Sequence, residues 1–156
     1  MGKNAFVTAG LLMALSLVVV SIAHAETIKW RMTTGRTPAL SPFHEADVNF
    51  ANQVNRMSGG RLEITVHSAG EIIPALEGFD AVRKGAVEAC AAWSAYWTGK
   101  NTAFDLFSQV AYLMHPVDYI NWLYRGGGLE LGQELYGRYG LKYLPVGITG
   151  PESGFR

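Results

Sequence analysis

Alternation of apolar and polar residues marks two short strands. In TIKWRMTT (27–34) Ile28, Trp30 and Met32 alternate with Lys29, Arg31 and Thr33, and in RLEITVH (61–67) Leu62, Ile64 and Val66 share one side. Between them Phe43, Ala46, Phe50, Val54 and Met57 recur at helical spacing. This predicts an amphipathic helix over 42–58, with Ser41 as N-cap, Pro42 at the first helical position and Gly59-Gly60 as the stop. A second helix is expected from Pro74 to Gly85, with Leu76, Phe79 and Val82 as its apolar stripe. A third strand, AVEACAAW (86–93), is small and apolar, as suits a strand covered on both faces. The order strand, helix, strand, helix, strand is that of right-handed βαβ units and predicts a parallel sheet. Further on, 117–125 and 129–139 read as helices separated by Gly126-Gly127-Gly128, and LKYLPVGIT (141–149) as a fourth strand. The glycine run does not read as a phosphate cradle, because no strand precedes it and no Lys-Ser or Lys-Thr follows.

A parallel sheet binds ligands beyond the carboxyl ends of its strands. The loops that leave those ends are TTGRTPALS, HSAGEIIP and WSAYWTGKN, so all three should gather at one rim. A helix starting at Pro74 would direct free N–H groups and partial positive charge there, which suits a carboxylate solute.

The opening residues change the setting. Lys3, an apolar run from Ala5 to Ala23 and the small-residue ending AHA before Glu26 predict a secretory signal over 1–25, cleaved after Ala25, and hence a periplasmic protein. The remaining chain suffices for one domain. A formal net charge of zero gives no electrostatic basis for a nucleic-acid partner. Cys90 is the only cysteine, so no intrachain disulfide forms, and its apolar surroundings predict an inert buried thiol.

Catalytic chemistry finds no constellation. Neither G-x-S-x-G nor H-E-x-x-H occurs, and the His, Glu and Asp residues show no zinc spacing. His44 reads as a surface helix residue, His67 as an exposed or capping residue at a strand exit, and Lys100 as solvated. Trp93, Tyr96 and Trp97 cluster at the third strand's exit, where they serve either packing or a small-molecule pocket. Glu71 reads either as a capping acid or as a ligand contact, and Leu40 lies in the first exit loop.

The run SAGEIIPALEGFDAVRKGAVEACAAWSAYWTGKNTAFDLF (68–107) resembles the periplasmic solute-binding subunits of TRAP transporters, the DctP-type family. The matching features are a Gly-Glu loop, a helix ending in V-x-x-G, a strand beginning V-E and aromatics before Gly-Lys. LYRGGGLELGQELYGRYGLKYLPVGITGPESGF is similar to the branch that binds 2-oxo monocarboxylates or related hydroxy acids. The resemblance implies an α/β lobe of the periplasmic binding protein type, with a mostly parallel sheet flanked by helices. It implies a first lobe over 26–149, with 150–156 beginning the crossing to a second lobe. The chain would then be the N-terminal half of a protein about twice as long. It implies a receptor rather than an enzyme, which delivers a small carboxylate to TRAP membrane permease subunits. Tyr96, Trp97 and Phe155 match aromatic pocket positions in outline, with Leu40 and Glu71 as further ligand contacts. No cofactor is required, but a sodium or calcium ion held by Glu152 would bridge to the ligand, since two carboxylates otherwise repel. The departures, AYLMHP in place of a Pro-Phe-Gly-like turn and Tyr96-Trp97 in place of a longer tyrosine series, bear on which acid binds. The alternatives are a receptor for another carboxylate such as a C4-dicarboxylate, a periplasmic hydrolase, and a permease-docking or anchored domain without a ligand of its own.

Overall fold

The computed structural model describes residues 26–108 and 114–147. Three strands form a parallel sheet among them: β1 (Ile28–Thr34), β2 (Leu62–His67) and β3 (Ala89–Ala91), in the order β2-β1-β3. Helix α1 (Phe43–Met57) connects β1 to β2, and the short α2 (Gly78–Arg83) connects β2 to β3. Helices α3 (Pro116–Arg125) and α4 (Gly128–Gly137) follow, with 3-10 turns at Pro38–Leu40, Ser94–Trp97 and Thr102–Phe107. Among the described residues no helix is long and apolar enough to cross a membrane.

The period-two pattern sorts side chains to the two faces of the sheet. Met32, Ile64 and Ala91 pack with Ala51 of α1, joined by Trp30, Phe50 and Val54. On the other face Cys90 and Ala92 meet an aromatic core of Phe79, Trp97, Phe104 and Tyr136 with Leu135. Gly78 lets α2 approach that face, since a Cβ there would lie 2.3 Å from Cys90 Sγ. Glu88, just before β3, accepts from the Arg31 backbone N–H at 2.7 Å and from its guanidinium at 3.0 Å, tying β3 to the central strand. Those bonds hold its carboxyl down at about 2.

Several expectations shift. Helix α1 starts at Phe43, after a cis Ser41-Pro42 peptide, so Ser41 is not its N-cap; the Ser41 hydroxyl instead donates to the Glu45 carboxylate. The face of α1 that meets the sheet runs through Asp47, Phe50, Ala51 and Val54, whereas Met57 is 85% exposed. The pattern gave Phe50 and Val54 of this face but ran on to Met57 and left out residue 47, because the buried member there is an acid. Helix α2 begins at Gly78 rather than Pro74, because Pro74–Glu77 closes as a turn, Glu77 N–H to Pro74 O at 2.9 Å; Leu76 is left exposed. A six-residue helix so placed removes the basis for helix-dipole attraction at the second exit loop. The fourth strand is not formed over the described 141–147: no ladder partner is present there, and the Gln133 side chain takes both the N–H and the carbonyl of Tyr143. Between α3 and α4 the glycine run breaks the chain, with Gly127 left-handed at φ 87°.

Candidate functional site

All three strand exits do converge. Gly35, immediately after β1, is closely surrounded: a Cβ there would lie 3.2 Å from the Tyr96 ring, 3.6 Å from Ala92 Cβ and 3.7 Å from the Ala75 carbonyl, so loops one, two and three come together there. The Ala69 N–H of the second loop donates to Arg36 O at 2.9 Å. His44 of α1 reaches Ser68 Oγ at 3.1 Å, a tie that the surface reading of His44 did not foresee.

Arg36 is the hub of this rim. Its NH1 donates to both carboxylate oxygens of Asp47, at 2.7 and 2.8 Å, and its guanidinium lies 4.5 Å from the centre of the Trp93 ring. Asp47 is 1% exposed and also accepts from Thr34 Oγ1 at 2.7 Å; Arg36 is 7% exposed. Trp93 makes edge contacts with Phe43 at 5.5 Å and Tyr96 at 5.7 Å. A buried guanidinium lying over indole and faced by a carboxylate has its charge matched, at the cost of stripping water from both ions. Arg36 Nε is buried without a hydrogen-bond partner; it is the only such side-chain atom among the described residues.

The candidate residues fall in different places. Tyr96 stands at the rim with its ring partly exposed, and Leu40 is exposed in the first loop. Glu71 serves the second loop internally, accepting from Ser68 N–H at 2.9 Å and meeting His67 Nδ1 at 2.8 Å. The His67 bond, then the Ser68 amide, lowers its carboxyl below the ordinary range. Trp97 is buried in the aromatic core, 5.2 Å from Phe79. Lys100 is paired rather than merely solvated, donating to Asp80 at 2.6 Å. Glu152 and Phe155 lie outside the described residues. Cys90 is shielded, and burial pushes its thiol up to about 12. Arg36 and Asp47 were missed, yet one signal existed: an acid at residue 47 interrupts an otherwise apolar helix face.

Metal chemistry does not come from these residues alone. No group of three or more His, Cys, Asp or Glu side chains able to hold an ion occurs among the described residues, and Glu71 is already engaged. A separate cavity of about 480 Å³, lined by Phe107, Trp122, Leu131 and Leu135, is mainly apolar, and the Glu134 and Arg138 that also line it pair with each other. It lacks the convergent polar groups that orient an acid.

Comparison with known proteins bears on this rim. The DctP model, bacterial extracellular solute-binding protein family 7, matches residues 34–154. A monocarboxylate 2-oxoacid-binding periplasmic protein of Nostoc sp. is 36% identical over 127 residues, covering 81% of this chain and 35% of the relative. A TRAP periplasmic solute-binding protein from Pseudoalteromonas atlantica, solved with sodium and pyruvate, is 36% identical with a TM-score of 0.70, over 74% of this chain and 35% of that one. Its counterpart from Colwellia psychrerythraea, solved with calcium and pyruvate, is 34% identical at the same TM-score and coverage. The chain therefore spans about a third of the length of these relatives. They are receptors that bind solutes, not enzymes, and the parallel three-stranded layer with its flanking helices is the lobe they share. The chain belongs to the DctP family of bacterial extracellular solute-binding proteins.

Proposed function

We propose that this chain forms one lobe of a periplasmic TRAP receptor for a small 2-oxo or 2-hydroxy monocarboxylate, such as pyruvate, which it delivers to a membrane permease. The observation that carries this reading is the meeting of three strand exits at Gly35 and Arg36, with Tyr96 and Trp93 beside them. Such a rim is half of a ligand cleft. The ligand named for the Nostoc relative, and the pyruvate in the two solved structures, support the choice of acid. Tyr96 and Leu40 contact the acid from this side; Glu71 acts by shaping the second loop, and Trp97 by seating the third. Phe155 supplies an aromatic pocket contact, and Glu152 holds a sodium or calcium ion that offsets the repulsion between its own carboxylate and the ligand's. The signal segment 1–25 directs export.

The test is tryptophan emission of the complete polypeptide, which carries four tryptophans in the present sequence. Pyruvate should change it, more strongly with calcium or sodium added, and Glu152→Gln should abolish the cation dependence while leaving the fold intact. No response to any C3 to C6 acid, with or without cation, defeats the reading. A response to C4-dicarboxylates alone would replace the ligand class.

A further inference from the structure

The position of the Tyr96 ring at the rim depends on a missing side chain. The 3-10 turn Ser94–Trp97 is fastened from behind. Ser94 and Trp97 are buried, Ser94 Oγ lies 2.7 Å from Tyr136 OH, and the Ala95 N–H donates to Ser108 Oγ at 2.8 Å. Just after the turn, Thr98 Oγ1 lies 2.7 Å from Ala95 O and 2.8 Å from Asp105 Oδ1. Tyr96 is the exposed member of the turn. Its backbone is therefore held, and the place of its ring is set by what borders it.

Three neighbours border that ring. Trp93 and Trp97 meet it edge-on, with centroids at 5.7 Å and 6.1 Å and planes at 89° and 85°. The third is Gly35, where a Cβ would lie 3.2 Å from Tyr96 Cε2, inside the roughly 3.5–4.0 Å optimum of a carbon pair. The next atoms, Ala92 Cβ at 3.6 Å and the Ala75 carbonyl at 3.7 Å, stand at ordinary contact distance, so a methyl at residue 35 would press on the ring first. The backbone itself does not call for glycine. The φ of Gly35 lies outside the left-handed region, and its N–H donates to Ala91 O at 2.9 Å, continuing the pairing of β1 with β3. We propose that Gly35 is a positioning residue for the solute: by carrying no side chain it lets the Tyr96 ring lie back against the first exit loop, where the ring meets the bound acid. This rests on the organic-acid reading above, in which Tyr96 contacts the acid. With Trp93 and Trp97 on its other edges, a ring pressed by a methyl moves toward its exposed side, into the space the acid takes.

The experiment titrates pyruvate by calorimetry into the complete polypeptide as wild type, Gly35→Ala, Tyr96→Ala and the double variant. Gly35→Ala should weaken pyruvate about fivefold, and Tyr96→Ala about tenfold. In the Tyr96→Ala background, Gly35→Ala should change affinity by less than about twofold, because the ring it displaces is gone. A loss that persists in that background makes Gly35 merely structural and overturns the proposal. So does a Gly35→Ala variant that binds pyruvate as tightly as wild type. If Tyr96→Ala binds as tightly as wild type, the ring does not touch the acid, and the proposal falls while the receptor reading stands. If wild type binds no 2-oxo acid, that reading fails and the proposal with it. Should Gly35→Ala not fold, proton NMR of wild type decides. A nuclear Overhauser contact between Gly35 Hα and the Tyr96 ring should persist under saturating pyruvate, and the ring resonances should shift. Loss of the contact, or unshifted ring resonances, overturns the proposal.

Discussion

The rim and the aromatic core beneath β3 are built from similar residue types to opposite ends. In the core no buried side-chain polar atom of the described residues lacks a partner: Ser94 Oγ and Tyr136 OH lie 2.7 Å apart, and burial pushes the Tyr136 hydroxyl up to about 12, keeping it neutral. Phe104 and Phe79 pack edge-on at 5.6 Å, and Phe104 with Tyr136 at 5.0 Å. At the rim an aromatic ring faces a cation instead, an acid is buried with it, and one donor is left without an acceptor. A region whose polar groups close on each other supplies stability. A region that buries charge and leaves a donor without an acceptor gives up stability.

Substitutions can break this contrast, and the largest loss is expected in the core. Phe104→Ala removes a ring that is 0% exposed and should cost toward the upper end of the roughly 3–5 kcal/mol seen for such truncations, measured by urea unfolding. Asp47→Ala leaves the Arg36 guanidinium buried and unmatched and should cost near the lower end of the roughly 3–5 kcal/mol range for a broken buried pair. A smaller loss for Asp47→Ala than for an exposed ion pair would show that water already reaches the rim cation. Gly78→Ala forces a methyl onto Cys90 Sγ and should cost about 1–3 kcal/mol, largely restored in the Gly78→Ala/Cys90→Ala double variant. Failure of that rescue would place the strain on the Cys90 Cβ and Thr33 Cγ2, each 3.3 Å from the added methyl.

Two smaller effects concern titration. Glu88 has its carboxyl lowered from 4.5 to about 2, so the stability it contributes is present above about 4.5 and is lost as pH falls toward 2. Glu88→Gln should flatten the acid limb of the unfolding curve over that window; an unchanged limb would mean the Arg31 contacts persist in the unfolded chain. Cys90, its thiol raised to about 12 by burial, should resist alkylation at pH 8 in the folded protein and react at an ordinary thiol rate in denaturant. Rapid native labelling would show that the β3 face opens.

Much of the fold was legible because it follows from side-chain period. Two strands, the parallel order and the helices at 116–125 and 128–137 come from rules in which each residue's preference depends on its neighbours in the chain. The convergence of the three exit loops was likewise legible, since parallel connection leaves no other place for them. The second helix and the fourth strand were misjudged for a local and a non-local reason. Pro74 closes a turn before it can start a helix, and an extended run becomes a strand only if a partner supplies a ladder.

What the sequence determined by itself was therefore the layered parallel lobe and the gathering of its three exit loops at one rim, because period and connection order suffice for both. Tertiary structure alone decided which side chains make that rim. Arg36, Asp47 and Trp93 are separated along the chain, and their pairing depends on burial, which gives a lone acid on an apolar helix face a partner and leaves one guanidinium nitrogen without an acceptor. It also sent Trp97 into the core and left Tyr96 at the edge, a distinction that neighbouring positions on one 3-10 turn carry only through what packs against them.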